Sequence, residues 1–171
     1  MQFSMFCRWV LTSVSHPTVV LLCDFWTAHN RKLYNSIIDA LCLMGRDVLD
    51  CGIIPTPTAQ FIIKEKKLAG GIVITASHNP IEWNGLKFLD NDGCFLNEKK
   101  MQKLLSIKSK KILLKENGYN SILKNAHLEH ISNILKLKCI DINKIKAKQF
   151  KVIVDTVNGA AYKALPELLK K

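Results

Sequence analysis

Apolar and polar positions change period several times along the chain, and each change marks an element. Residues 18–23 (TVVLLC) form a β-branched apolar run that closes at Asp24, which predicts a strand. Between 32 and 44, Leu33, Ile37, Ile38, Leu41 and Met44 recur at helical spacing, and Gly45 stops that helix as a glycine just past a C-cap does. Residues 47–54 read as a second strand, closed by the Pro55-Thr56-Pro57 bend. Residues 58–67 suit a helix built on Ala59, Phe61, Ile62 and Ile63, and 71–75 (GIVIT) is a short buried strand. Strands separated by helices of about a dozen residues imply parallel crossover units. The prediction is a three-layer α/β/α domain with a mixed, largely parallel sheet.

The texture changes after Asn97. Residues 98–105 read as a surface helix, 108–120 as a looser charged bend, and 121–137 as a helix on Ile122, Leu123, Ala126, Ile131, Ile134 and Leu135. A basic connector, 141–148, leads to 150–155 (FKVIVD), a strand pattern, and Asn158-Gly159 turns into a helix bearing Ala160, Ala161, Ala164, Leu165 and Leu168. These last elements read as the first strand and helix of a second, similar domain. The boundaries are therefore 1–140 for the first domain, and 141–171 for a connector and an incomplete second domain.

Composition narrows the class. With 48% hydrophobic and 23% charged residues in 171, the chain is a core-former, which excludes a disordered tail, a collagen-like repeat and a coiled coil. No apolar run approaches the roughly 18 residues a membrane helix needs. Residues 1–14 interleave Ser4, Arg8 and Thr12 with apolar positions, which is not a secretory leader. The net charge of +11 is concentrated: 98–151 holds 14 lysines against Glu98, Glu116, Glu129 and Asp141. The only arginines are Arg8, Arg31 and Arg46, and few aromatics interleave the lysines, so the excess reads as a solvated basic face and no nucleic-acid partner is expected. The six cysteines form no CxxC pair and no zinc-like set, and reduced thiols point to a cytoplasmic protein.

The chemistry lies after the third strand, in GGIVITASHNPIEWNGLKFLD (70–90). Catalytic loops of α/β sheets gather at the carboxyl ends of strands. Ser77 offers a hydroxyl, His78 an imidazole and Lys87 an ammonium, and Asn84-Gly85 marks a turn able to fold Lys87 back towards Ser77. Such a set suits phosphoryl transfer: the serine holds the group covalently, the cation neutralises its equatorial oxygens, and the imidazole moves a proton. On residue types alone, a polar turn after a strand remains the competing reading.

TASHNP followed by NGLK resembles the active-serine loop of the α-D-phosphohexomutases, the family of phosphoglucomutase, phosphomannomutase and phosphoglucosamine mutase. The resemblance extends to DVLDCGIIPTP (47–57), GCFLNE (93–98) and FKVIVDTVNGAA (150–161). It implies interconversion of 1-phospho and 6-phospho sugars through a phosphoserine and a bisphosphate intermediate, with a hexose or hexosamine phosphate as substrate. By motif match Ser77 is the phosphoserine and also one ligand of Mg²⁺, while His78 and Lys87 match the family's histidine and lysine. Family enzymes have four domains, and the aspartate-rich DGDGDR-like loop that supplies the other Mg²⁺ ligands has no match here. The family's early GRD-x-R segment stands here as Leu22-Cys23-Asp24-Phe25-Trp26, with both arginines replaced. The chain thus reads as an N-terminal fragment, inactive by itself; the alternative is a non-catalytic remnant serving as a binding or scaffolding domain.

Other candidates have blander readings. His127 and His130 are expected on a solvated helix face. Asp155 is expected to cap a turn or the next helix, His29 and Asn30 to begin a helix, and Trp26 and Trp83, which could line a site, to pack instead.

Overall fold

In the computed structural model, residues 18–23, 28–77, 79–80, 83–106 and 117–171 are described. Five strands, β1 (Val19–Cys23), β2 (Val48–Ile53), β3 (Gly70–Thr75), β4 (Gly85–Leu89) and β5 (Asn120–Ile122), form one sheet in the order β4-β3-β1-β2-β5. Only the β3–β4 pair is antiparallel. The helices are α1 (Ala28–Leu43), α2 (Thr56–Glu65), α3 (Glu98–Ser106), α4 (Ala126–Ile134), α5 (Ile142–Ala147) and α6 (Ala161–Leu169). The mixed, mostly parallel α/β/α architecture expected from the sequence is the one observed.

Alternation along the central strand sorts the core into two layers. Val19, Leu21 and Cys23 pack with Tyr34, Ile37 and Leu41 of α1, whereas Val20 and Leu22 pack with Ala59, Ile62 and Ile63 of α2. Successive side chains of a strand face opposite ways, so a strand covered on both faces must be apolar throughout. That is why residues 19–23 show no polar alternation. β1 and β3 are buried at every position.

β2 carries an irregularity. Leu21 pairs with Asp50 but Cys23 pairs with Ile53, so β2 fits three steps against two. The extra residue is accommodated around Gly52, whose φ of 61° is left-handed and suits glycine. The Asp50 carboxylate holds this bulge, accepting from the Gly52 amide (2.8 Å) and from the buried Tyr34 hydroxyl.

Three expectations need correction. Residues 120–122 form the parallel edge strand β5, and the helix begins only at Ala126, after Asn125 in a left-handed conformation. The apolar positions at 122 and 123 mimic helical spacing, but β2 offers a free edge that captures the backbone. The connector at 141–148 contains the short helix α5, started by the Asp141 side chain accepting from the Lys144 amide (3.0 Å). Residues 150–155 join no sheet: Phe150, Val152 and Ile153 are exposed, and a strand pattern without a neighbouring strand has nothing to hydrogen-bond. No helix among the described residues is long and apolar enough to cross a membrane.

Candidate functional site

The strand order fixes where a site can form. From β1 the chain steps to β2 on one side and returns through α2 to β3 on the other. The carboxyl ends of β1 and β3 therefore flank the point where the winding reverses, the crevice at which open α/β sheets bind ligands. Ser77 lies there, two residues beyond the end of β3.

Its conformation is constrained. Ser77 has φ 56°, a left-handed geometry that costs a non-glycine residue about 1 kcal/mol or more. The Ser77 amide donates to the Thr75 hydroxyl oxygen (2.8 Å), and the Asn79 amide donates to the Ala76 carbonyl (3.0 Å). These bonds turn the chain sharply off a fully buried strand and leave Ser77 exposed. A strained, exposed serine over-determined by its neighbours is the arrangement a nucleophile needs.

The other edge of the site is β4. Gly85 pairs with Thr75, and Lys87 pairs with Val73. Lys87 is thus built into a strand and not into a free loop, as the turn at Asn84-Gly85 alone suggested. A cross-strand partner shares its neighbour's face, so Lys87 projects from the face of Val73. Its ammonium lies 6.0 Å from the centre of the Phe95 ring. Ser77 thus lies just past the end of β3, while Lys87 stands on the neighbouring strand β4 opposite Val73, four positions back from Ser77. His78 lies outside the described residues, as do Asp24 and Trp26.

Two residues before β4 differ from their expected roles. Trp83, expected to pack, is 64% exposed beside the turn that joins Pro80 to β4, where its amide donates to the Pro80 carbonyl (3.0 Å). The Asn84 side-chain amide is buried with no hydrogen-bond partner among the described residues. The Asn-Gly signal places the turn too late in the chain, since Gly85 already opens β4 and the Trp83 amide bonds back to Pro80, and it concealed this unpaired amide.

Behind β4, the buried Asp90 carboxylate pairs with Lys100 of α3 and accepts from the Asn91 amide. The hydrogen bond to Asp90 holds the Lys100 ammonium above its usual pKa, against a smaller opposing effect of burial. This pair ties α3 to the end of β4. On the opposite flank, burial pushes the Cys51 thiol up to about 12, with Asp50 and Glu129 adding to it, so Cys51 is a small hydrophobe and no nucleophile.

His127 and His130 do not lie on a solvated face. His127 is 8% exposed, and the His130 ring stacks on Phe61 (5.0 Å between centres) with its Nδ1 3.1 Å from the Thr58 hydroxyl. Spacing of three gave the shared helix face correctly, but α2 and α6 cover it. Burial lowers both imidazole pKa values, and Lys163 lowers that of His127 further, against an upward pull from Glu167. Asp155 does cap its turn, accepting from the Val157 amide (2.9 Å).

Mg²⁺ requires a cluster of oxygen ligands. Among the described residues no three His, Cys, Asp or Glu side chains gather closely enough to hold a metal ion. The described donors do not fit a Mg²⁺ shell.

Residues 4–114 match the family model of phosphoglucomutase/phosphomannomutase, alpha/beta/alpha domain I. The chain is 35% identical over 152 residues to a phosphoglucomutase/phosphomannomutase of Thermococcus kodakarensis, covering 82% of this chain and 31% of that protein. It is 32% identical over 164 residues to a phosphoglucosamine mutase of Acetivibrio thermocellus, covering 92% of this chain and 36% of that protein. A solved phosphoglucomutase/phosphomannomutase family protein from Burkholderia thailandensis shares the fold over 99% of this chain and 36% of its own, with a TM-score of 0.71 and 21% identity. The chain spans about a third of the length of the curated relatives it matches.

Proposed function

This chain belongs to the phosphoglucomutase/phosphomannomutase family, and on that premise we propose that it is the serine-bearing part of a phosphohexomutase. The proposed reaction moves a phosphoryl group between positions 1 and 6 of a hexose or hexosamine phosphate. The observation that carries it is Ser77: exposed, left-handed and fixed by Thr75 at the winding reversal of the sheet.

In the proposed step from a sugar bisphosphate, Ser77 Oγ forms a bond to phosphorus as the bond from phosphorus to the sugar oxygen breaks. The serine proton passes to His78, and the departing sugar oxygen takes up a proton, leaving phosphoserine and a sugar monophosphate. Lys87 neutralises the equatorial oxygens of the transferring group, a task for a point charge with a flexible stem. In the mutase direction the same bonds are made and broken in reverse on the substrate's free hydroxyl. Phosphorylated Ser77 would give Mg²⁺ one anionic oxygen, and we propose that its other ligands come from outside the described residues. The split at 140/141 into a complete first domain and the opening of a second belongs to the same proposal, as does a cytoplasmic location.

Phosphoryl transfer depends on positioning and on charge neutralisation around the transferring group, and the described residues supply only part of each. We therefore expect the 171-residue polypeptide to accept one phosphoryl group without turning over. Incubated with Mg²⁺ and a hexose 1,6-bisphosphate, it should release hexose monophosphate once per chain and then stop, and the Ser77→Ala variant should release none. Release that is absent in both proteins, or equal in both, overturns the assignment. Sustained mutase turnover by the polypeptide alone overturns the claim that it is incomplete.

A further inference from the structure

A cavity lies two strands away from the Ser77 loop, at the carboxyl ends of β2 and β5. It measures about 510 Å³, room for a hexose-sized ligand, and is walled by Asp50, Lys124, Asn125, His127, Tyr162 and Lys163. Ligands of open α/β sheets bind beyond the carboxyl ends of their strands, and this cavity satisfies that rule separately from the site of Ser77.

Its polar walls are asymmetric. On one side, α4 starts at Ala126 and has no side-chain cap at Asn125. The first-turn amides of a helix lack intrahelical acceptors and carry the positive end of its dipole. Lys124 immediately precedes this end, and Lys163 of α6 faces it across the cavity. His127, in the first turn of α4, is more than nine-tenths buried and makes no hydrogen bond to a described residue. On the other side stands Asp50, whose Oδ1 is already occupied by the Gly52 amide and the Tyr34 hydroxyl. Glu167 acts on His127 from α6 with opposite sign to Lys163.

Two ammonium groups, an uncapped helix start and a buried imidazole without a hydrogen bond are the complement of a compact dianion. We propose that this cavity binds a small phosphate monoester. Its phosphate sits at the α4 N-terminus between Lys124 and Lys163, with the His127 ring N–H as a further donor. Asp50 and the Tyr162 ring face the organic part, where a polyol hydroxyl finds an acceptor and an apolar wall. Burial, and then Lys163, disfavour the charged form of His127 against an upward pull from Glu167; the neutral ring donates through one nitrogen, and an anion arriving beside it favours protonation of the other.

NMR titration of the full chain tests this with inorganic phosphate, a hexose 6-phosphate and the free hexose as probes. The amides of residues 124–127 and the His127 ring should move saturably with both phosphates and not with the free hexose. The His127 titration midpoint should rise when phosphate is present. The Lys124→Gln/Lys163→Gln variant should weaken binding by about tenfold, since each removed cation costs a charge-assisted contact. Both lysines are exposed, so the fold is retained, and Lys124→Gln alone provides a milder second variant. Ser77→Ala should bind unchanged, which separates this site from the phosphoryl-transfer reading. Non-saturating shifts, an unchanged response in both lysine variants, or shifts confined to the Ser77 loop would each overturn the proposal.

Discussion

The region from β1 through α3 and the region from α5 through α6 are built from similar sequence patterns but reach different ends. The first encloses its apolar residues on both faces of a sheet: Leu21, Leu22, Ile72 and Ile74 are fully buried. In the second, no residue of α5 or α6 is buried, and Ile153 is 98% exposed. A β-branched run becomes a strand only where a neighbour satisfies its backbone and covers its side chains. The chemistry proposed for Ser77 falls in the first region, where a strained loop has a rigid base.

Core truncation gives the widest contrast between the two. Leu21→Ala should lower unfolding stability by about 3 kcal/mol, whereas Ile153→Ala should stay within about 0.5 kcal/mol, as read by urea denaturation. Equal losses would show that 150–155 is packed after all.

Backbone space in the first region is nearly as unforgiving. A Cβ on Gly70 would meet the Leu89 carbonyl oxygen at 2.6 Å, and φ there is 151°. Gly70→Ala should cost about 2 kcal/mol and disturb the β3–β4 pairing that holds Lys87 and leads into the Ser77 loop. Amide exchange should be faster at 85–89, with little change at 161–169.

The bulge in β2 gives a smaller effect. Tyr34→Phe removes the hydroxyl donor to Asp50 and should cost about 1 kcal/mol, with faster exchange of the Gly52 amide.

The histidines where α4 meets α2 and α6 titrate below their ordinary value of 6.5. A lowered folded pKa means that the unfolded chain takes up the proton first. The histidine contribution is thus fully present above pH 6.5 and is lost as pH falls through the folded pKa. Melting temperature should drop across that window, and a His127→Gln/His130→Gln variant should flatten the slope there.

Much of this was legible in the sequence. The alternation of strands and helices gave the doubly wound core, because β1 and β3 are apolar for a single reason, burial on both faces. The place of Ser77 just past a buried strand was legible from the pattern that precedes it. Its left-handed backbone was not, since a serine in a turn carries no signature of sign in φ. β5 was concealed by residues whose spacing fits a helix equally well, and its pairing depends on a β2 edge about 70 positions earlier. Helical spacing puts His127 and His130 on one face of α4 but does not report what covers that face. The run at 150–155 failed for the converse reason: the pattern is local, and pairing is not.

The central claim is that Ser77 is the phosphoryl-accepting residue. Peptide mapping by mass spectrometry, after incubation with a hexose 1,6-bisphosphate and Mg²⁺, tests it most directly. The account predicts a single phosphate on the peptide carrying TASHNP, located at Ser77 and absent from Ser77→Ala. Phosphate on any other residue, with Ser77 unmodified, would contradict it.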